Sequence, residues 1–104
     1  MEDGTKKKDI NGSQINILGL TYRVEEVPVV NKQIPRQGEI NFMEQVIRID
    51  SSMSDERKHV VLLHEIIHGI CEQLNLDDIG DNEHLVQSLA LSLHQVLHDN
   101  AISF

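Results

Sequence analysis

Two stretches in the second half of the chain repeat apolar residues at helical spacing. The first follows a serine-rich segment and begins with acidic residues, which suit a helix N-terminus. It predicts a helix from about Asp55 to about Leu76, with apolar positions Val60, Leu63, Ile67, Ile70 and Leu74. The second has a broad apolar stripe and predicts a helix from about Glu83 to about Asp99. Residues 75–82 break the pattern and predict a loop.

The first half of the chain alternates apolar and polar residues, as strands do. Residues 15–30 are rich in β-branched side chains and predict two strands, or one strand bent at Gly19. Pro28 has no backbone N–H, so this end should lie at a sheet edge or outside the ladder. Residues 39–42 and 46–50 alternate again and predict a hairpin with a short connection.

The remaining segments complete one small domain. Residues 31–38 carry proline and glycine and predict a loop, whereas the polar residues 1–14 predict a flexible tail. A chain of 104 residues buries one modest core. We therefore expect an α+β fold over residues 15–104, in which a small antiparallel sheet of about three strands packs on two main helices.

Composition argues against a membrane span and favours the cytoplasm. No apolar run approaches the roughly 18 to 20 residues that cross a bilayer. The N-terminal segment contains Lys6, Lys7 and Lys8 and lacks the apolar core of a signal peptide. The one cysteine, Cys71, forms no internal disulfide and agrees with a reducing compartment. We expect a cytoplasmic protein without a membrane partner.

The net charge of −8 is concentrated in the second half of the chain. Residues 1–50 carry seven Lys and Arg against eight Asp and Glu, whereas residues 51–104 carry two against nine. An acidic field repels polyanions, so we expect no direct binding of nucleic acid. It favours metal cations and a basic or neutral protein partner, although a solvated acidic face that maintains solubility is an equal interpretation.

The strongest chemical signal is an HExxH motif at residues 64–68, within the first predicted helix. A separation of four residues places His64 and His68 on one face, about one turn apart, where both can bind one metal ion. Glu65 lies beside that stripe, in the position of a general base. Its neighbours are mostly apolar, and two histidines with a glutamate are unfavourable to bury without a shared partner. The motif therefore predicts a catalytic zinc site.

Such a site needs a third protein ligand from elsewhere. The metzincin pattern fails because Cys71 and Leu74 stand where it requires glycine and histidine. Glu72 lies a further turn along the helix, too far for one tetrahedral ion. Glu83 is the best candidate because it begins the second helix on an otherwise apolar face, where a carboxylate needs a partner. The alternatives are His84 as the ligand, about 100° away around the helix, or Glu83 as a first-turn residue stabilised by the helix dipole.

Other polar residues have simpler interpretations. His94 and His98 repeat the spacing of the motif but lack its glutamate and lie near an exposed helix end. His59 is expected at the surface, and Cys71 as a small buried residue. Three acidic residues are expected in loop and cap positions, namely Asp77, Asp78 and Asp81.

Three segments of the chain resemble the ImmA/IrrE-type metallopeptidases of phages, mobile elements and bacterial stress regulators. They are residues 38–50, the motif with its preceding leucines at 62–68, and residues 83–90, where Glu83, Val86, Gln87, Leu89 and Ala90 fit the family pattern. The resemblance covers roughly residues 15–93. It implies a minimal zincin-like (gluzincin-like) domain with zinc bound by His64, His68 and Glu83. The chain lacks the Leu-Met-Pro-like segment that often follows in the family, as a short phage-sized member would.

These observations predict a zinc metallopeptidase in which Glu65 is the catalytic base and a protein is the substrate. The family resemblance implies a regulatory substrate such as a helix-turn-helix repressor. An extended substrate is expected to pair with an exposed strand at Val46–Asp50, because this strand leads directly into the motif helix. Tyr22, His84 and His59 are candidates to stabilise the oxyanion. The alternatives are a zinc-binding regulatory module with a structural or vestigial site, or a zinc-free helical interaction protein, and the oligomeric state is open.

Overall fold

The structure, a computed structural model, describes residues 9–31, 33 and 36–102. Its elements in chain order are β1 (Gln14–Ile17), β2 (Leu20–Val27), β3 (Gly38–Asn41), β4 (Val46–Asp50), α1 (Asp55–Leu74), α2 (Asp77–Gly80) and α3 (Glu83–Asp99). The predicted α+β class is confirmed, with two long helices as expected. No helix in this described part of the chain is long and apolar enough to cross a bilayer.

The sheet differs from the prediction in size and direction. It has four strands in the order β1-β2-β4-β3, and β2 pairs with β4 in parallel. An entirely antiparallel sheet of about three strands was therefore wrong. The physical reason lies in burial: Val46, Ile47 and Ile49 of β4 are at most 4 % exposed, whereas every residue of β3 is only half-buried. The more apolar strand of the hairpin takes the central position beside β2, and β3 becomes an edge.

A tight turn separates the first two strands. Leu18 and Gly19 have φ values of 50° and 98°, and they connect Ile17 to its partner Leu20. Two consecutive positive φ values are typical of the two-residue turns that match strand twist. Of the two predicted arrangements, a pair of strands is the correct one. β2 ends at Val27, so Pro28 lies outside the ladder as predicted.

The main core lies between the sheet and α1. It contains Tyr22 and Val24 of β2, Ile47 and Ile49 of β4, and Val61 of α1. Ile10 also belongs to this core, at 8 % exposure, and Gln14 begins β1. The predicted flexible tail at 1–14 therefore extends too far along the chain, because the hydrophobic contact of one isoleucine outweighs its polar neighbours. Residues 1–8 of that tail lie outside the described residues.

The opposite face of the sheet is charged. Arg48 of β4 forms ion pairs with Glu25 of β2 and Glu39 of β3, at 3.5 and 3.3 Å between nitrogen and oxygen. Because charged side chains occupy this face, α1 packs on the other, apolar face of the sheet. A further ion pair, 2.8 Å from Lys58 Nζ to Glu26 Oε1, joins the start of α1 to the end of β2.

Caps define both long helices. The Ser54 hydroxyl accepts from the Arg57 N–H at the start of α1, and Asn82 Oδ1 accepts from the Leu85 N–H at the start of α3. α1 ends at Leu74, two residues before the predicted end, because Asn75 adopts φ 56° and the Leu76 N–H donates back to the Cys71 carbonyl at 2.9 Å. The predicted loop contains the single turn α2, whereas α3 has its predicted bounds.

Candidate metal centre

His64, His68 and Glu83 converge where the start of α3 lies against α1. The His68 Nε2 to Glu83 Oε1 distance is 2.6 Å, and the His64 Nε2 to Glu83 Oε2 distance is 3.4 Å. The two Nε2 atoms are 3.2 Å apart. One ligand atom from each residue lies within 4.8 Å of the others, so the three side chains could hold a metal ion. The spacing within the motif and the position of Glu83 thus agree with the predicted grouping.

A short connection brings α3 back along α1. Val86 and Ala90 of α3 are fully buried against a cluster that includes Ile67 and Cys71 of α1. Gly80 of α2 packs closely against Cys71 of this cluster, because a Cβ added at Gly80 would lie 3.0 Å from the Cys71 Cβ. Cys71 is therefore the small buried residue that was predicted, and burial raises the pKa of its thiol. This packing places the first turn of α3 beside the motif.

The ligand residues differ in exposure. The histidine side chains are 15 and 19 % exposed, whereas the Glu83 side chain is 69 % exposed. The predicted stripe that continues from Glu83 is buried at Val86 and Ala90, but the Glu83 carboxylate at its head is itself exposed, contrary to the expectation that it would be buried. Glu83 meets the histidines at the rim of the site, where the positive end of the α3 dipole also favours its charge.

Gln87 is a site residue to which the sequence analysis assigned no role. Its Oε1 lies 2.7 Å from His64 Nδ1. An amide oxygen only accepts, so Nδ1 is the donor in this contact, and Nε2 is the ring nitrogen that faces His68 and Glu83. Metal-binding histidines usually have such a partner on the second ring nitrogen. The signal was available in the sequence, because Gln87 follows Glu83 by four residues and therefore shares its helix face.

Glu65 is the one buried charged residue in the described part of the chain, at 7 % exposure. Burial is the main cause that raises its pKa from 4.5 to about 7; His64 and Arg36 lower the pKa, whereas the negative charges of Glu83 and Glu39 raise it. Its Oε2 lies close to the backbone of β3, since an added Cβ on Gly38 would be 3.3 Å from it. A carboxylate with a pKa near neutrality, beside two histidines that could hold a metal ion, has the properties of a general base.

The group opens into a cleft of about 650 Å³. One wall is formed by residues 36–40, before and within β3, together with Phe42. The other wall contains Val61 and the motif on α1, with Glu83 and Gln87 on α3. Arg36 is the one Lys or Arg that the structure places along this cleft. A volume of this size falls within the range of sites that bind ligands.

The remaining candidates lie elsewhere. Tyr22 is 1 % exposed in the core, and burial, followed by the charge of Glu72, raises its pKa. Neither His84 nor His59 lines the cleft in the described structure, so none of the three predicted oxyanion donors faces it. His94 stacks on His98 and lies 6.3 Å from His59 between ring centres, away from the motif. Asp77 and Asp78 form the first turn of α2, and Asp81 caps its end, as predicted.

The predicted substrate strand was also wrong. β4 lies in the centre of the sheet, bonded to β2 on one side and to β3 on the other, so its backbone has no free edge. β3 is the edge strand beside the motif. The Asp50 N–H donates to the Gln37 carbonyl at 2.9 Å, and in this alternating ladder the backbone groups of Gly38 and Ile40 point away from β4.

Comparisons of the chain with protein-family profiles, curated proteins and solved structures give no match. The resemblance to ImmA/IrrE-type metallopeptidases therefore stays a prediction that rests on the motif residues. The geometry of the site is independent of that resemblance.

Proposed function

We propose that this chain is a zinc-dependent metallopeptidase. The observation that carries the proposal is the meeting of His64, His68 and Glu83 in a cleft, with the buried Glu65 beside them. Two imidazoles and one carboxylate are a ligand set of known catalytic zinc sites, which leave a further position open. When bound, zinc would supply Lewis-acid chemistry, activating water and polarising a carbonyl.

The spacing of the donor atoms supports the fit. Donors bound about 2.0 Å from a tetrahedral ion lie roughly 3.3 Å from one another. The two Nε2 atoms are 3.2 Å apart, and Glu83 Oε2 lies 3.4 Å from His64 Nε2. The other carboxylate oxygen, Oε1, lies 2.6 Å from His68 Nε2 in a short hydrogen bond, which a metal would replace when it displaces the proton. The ligands thus need only a small adjustment.

The residues around this group supply the rest of the chemistry. Glu65 accepts the proton of the attacking water and returns it to the leaving amine. Gln87 holds the His64 ring with Nε2 towards the site. The free backbone groups of Gly38 and Ile40 offer hydrogen bonds to an extended peptide lying along the cleft. β3 is therefore the proposed substrate strand.

The proposed substrate is a protein with basic segments, for which a helix-turn-helix repressor is an example. Residues 51–104 carry seven more Asp and Glu than Lys and Arg, and this negative charge favours such a partner by long-range attraction. We propose a cytoplasmic location, supported by the single buried Cys71.

The test combines metal content with cleavage. Proteins encoded next to this gene would be incubated with zinc-loaded wild type, Glu65→Gln and the surface control Glu72→Gln. We expect stoichiometric zinc in all three, with cleavage by wild type and Glu72→Gln and a loss of at least about 10²-fold in Glu65→Gln. Cleavage at the wild-type rate by Glu65→Gln would exclude the proposed mechanism, and stoichiometric zinc in Glu83→Ala would exclude Glu83 as an essential ligand.

A zinc-binding regulatory module is the second candidate. The observation that favours it is the large apolar surface of α3, where six Leu and Val side chains are at least 37 % exposed. Such a surface is typical of partner binding rather than catalysis. The same variant separates the two functions, because a binding module would keep its biological effect in Glu65→Gln whereas a peptidase would lose it.

A further inference from the structure

α3 turns only a narrow side towards the rest of the protein. Within the described chain, α3 contacts α1 and α2 but no strand, and only Val86 and Ala90 are fully buried. Other large apolar side chains repeat every three or four residues along an exposed stripe, which comprises Leu85, Leu89, Leu93 and Val96, at 37, 38, 44 and 42 % exposure. A helix that only had to cover α1 would not need this second stripe.

α1 extends the same apolar surface. Ile70 and Leu74 are 36 and 53 % exposed and lie one turn apart. On one side of the α1–α3 contact, His64 and His68 of α1 meet Glu83 and Gln87 of α3. At about 100° per residue, the exposed apolar positions on both helices fall on the other side of that contact. We call this surface the back face, defined by Ile70, Leu74, Leu85, Leu89, Leu93 and Val96.

The shape of the back face fits a third helix. Two antiparallel helices with apolar side chains along their shared border form a groove, and amphipathic helices bind such grooves through residues spaced three or four apart. Contiguous exposed apolar patches are small on most monomers, so one that follows two helices indicates an interaction surface.

Charge decides between possible occupants. Apart from Glu65 and Glu83 at the metal centre, residues 59–104, which contain the whole back face, carry five Asp and Glu and no Lys or Arg. Asp77 and Asp78 begin α2 just after Leu74, at one end of the groove. A second copy would bring another chain of net charge −8 to this surface, which is unfavourable. A partner with positive charge beside its apolar stripe would be attracted.

We propose that the back face binds an amphipathic helix of a partner protein whose apolar stripe is flanked by Lys and Arg. This inference does not depend on the proposed peptidase activity, because the back face and the metal centre lie on opposite sides of the α1–α3 contact. The two sites can therefore be tested separately in one full-length protein.

The probe is a synthetic helical peptide with a leucine stripe and lysine flanks, compared with a peptide of the same stripe and glutamate flanks. Fluorescence anisotropy with the full chain should show binding of the lysine peptide, weaker at high salt, and at least about 10-fold weaker binding of the glutamate peptide. Leu89→Gln with Leu93→Gln should weaken lysine-peptide binding at least about 10-fold. The control Leu91→Gln changes an equally exposed leucine on another side of α3 and should change binding less than about 2-fold.

Glu65→Gln should bind the lysine peptide like wild type, so failure of the peptidase proposal leaves this result intact. Amide chemical shifts of wild type with the peptide should change along the back face. Three results would each overturn the proposal: equal binding of both peptides, chemical-shift changes confined to the cleft, or equal effects of the Leu91 and Leu89/Leu93 substitutions on binding. Sedimentation that shows a dimer dissociated by Leu89→Gln would instead assign the back face to a second copy.

Discussion

At the scale of single residues, the site depends on how each polar side chain is held. His64 has Gln87 on one ring nitrogen and faces His68 and Glu83 with the other. Glu65 is buried next to them and sits close to the β3 backbone at Gly38. The functional groups are thus oriented by neighbours, and changes in those neighbours should alter the site without removing a ligand.

Replacing Gln87 tests this orientation. Gln87→Leu removes the acceptor on His64 Nδ1 and should weaken zinc binding about 10- to 100-fold, because the ring loses its fixed direction. Competition with a chelator of known affinity would measure the change. Gln87→Glu keeps an acceptor and should restore affinity, while Gln95→Leu, farther along the same helix, should have no effect. A purely structural role would instead lower the stability of the metal-free protein and leave zinc affinity unchanged.

Glu65 should make the stability of the metal-free protein depend on pH. Its pKa is raised from 4.5 to about 7, so the folded state holds a proton that the unfolded state releases in this range. The free energy of unfolding therefore falls as pH rises from about 4.5 to about 7, by about 3 kcal/mol at most. Below this window the contribution of the protonated form is fully present.

Urea unfolding with chelator, at about pH 5 and about pH 8, would measure this fall. Glu65→Gln is neutral at every pH and should show a smaller fall than wild type. Glu72→Gln, an exposed change on the same helix, should keep the wild-type dependence. The same pH dependence in Glu65→Gln and wild type would contradict a raised pKa at Glu65.

At the scale of elements, the close approach of β3 to α1 shapes the cleft. Gly38 permits it, because an added Cβ would lie 2.5 Å from Val61 Cγ1 and 3.3 Å from the Arg48 carbonyl oxygen. Both the edge strand and the base would be displaced by a larger residue. The glycine is needed for space here, not for an unusual backbone angle.

Gly38→Ala should therefore destabilise the protein by about 1 to 3 kcal/mol through overpacking. Thermal or urea unfolding would show it, and peptide cleavage should fall as β3 moves from the motif. Val61→Ala removes the closest atom, so the double variant should be more stable than the sum of the single changes predicts. Strictly additive losses would show that the two residues do not compete for this space.

At the scale of the whole molecule, the proposed metal centre would join α3 to the rest of the protein. α3 touches α1 and α2 but none of the described strands, and Glu83 is its contribution to the ligand group. Bound zinc should therefore suppress opening of α3. Free metal at about 100 times the dissociation constant stabilises the folded state by about 2.7 kcal/mol.

Hydrogen exchange would test this link. We expect α3 amides to exchange more slowly with zinc in wild type and in Glu72→Gln, and to gain little protection in Glu83→Gln, which keeps the shape of the side chain without its charge. Equal protection by zinc in Glu83→Gln would show that the metal does not use Glu83 to hold α3.

The sequence alone was enough for the local features. Helical spacing and capping residues determined α3 and the start of α1, because both depend on neighbours within a few residues. The same spacing places His64 and His68 on one face, and the position of Glu83 at the head of an otherwise apolar face of the second helix made it the leading third ligand. These inferences needed only the geometry of one helix and a list of metal-binding side chains.

The tertiary structure decided what depends on distant contacts. Alternation predicts strands but not their neighbours, so only the structure shows β4 at the centre and β3 at the edge beside Glu65. Packing also moved Ile10 from a predicted tail into the core and left Glu83 exposed. The partner of His64, the pKa of Glu65 and the open back face arise from burial and from residues far apart in the chain, which local pattern does not specify.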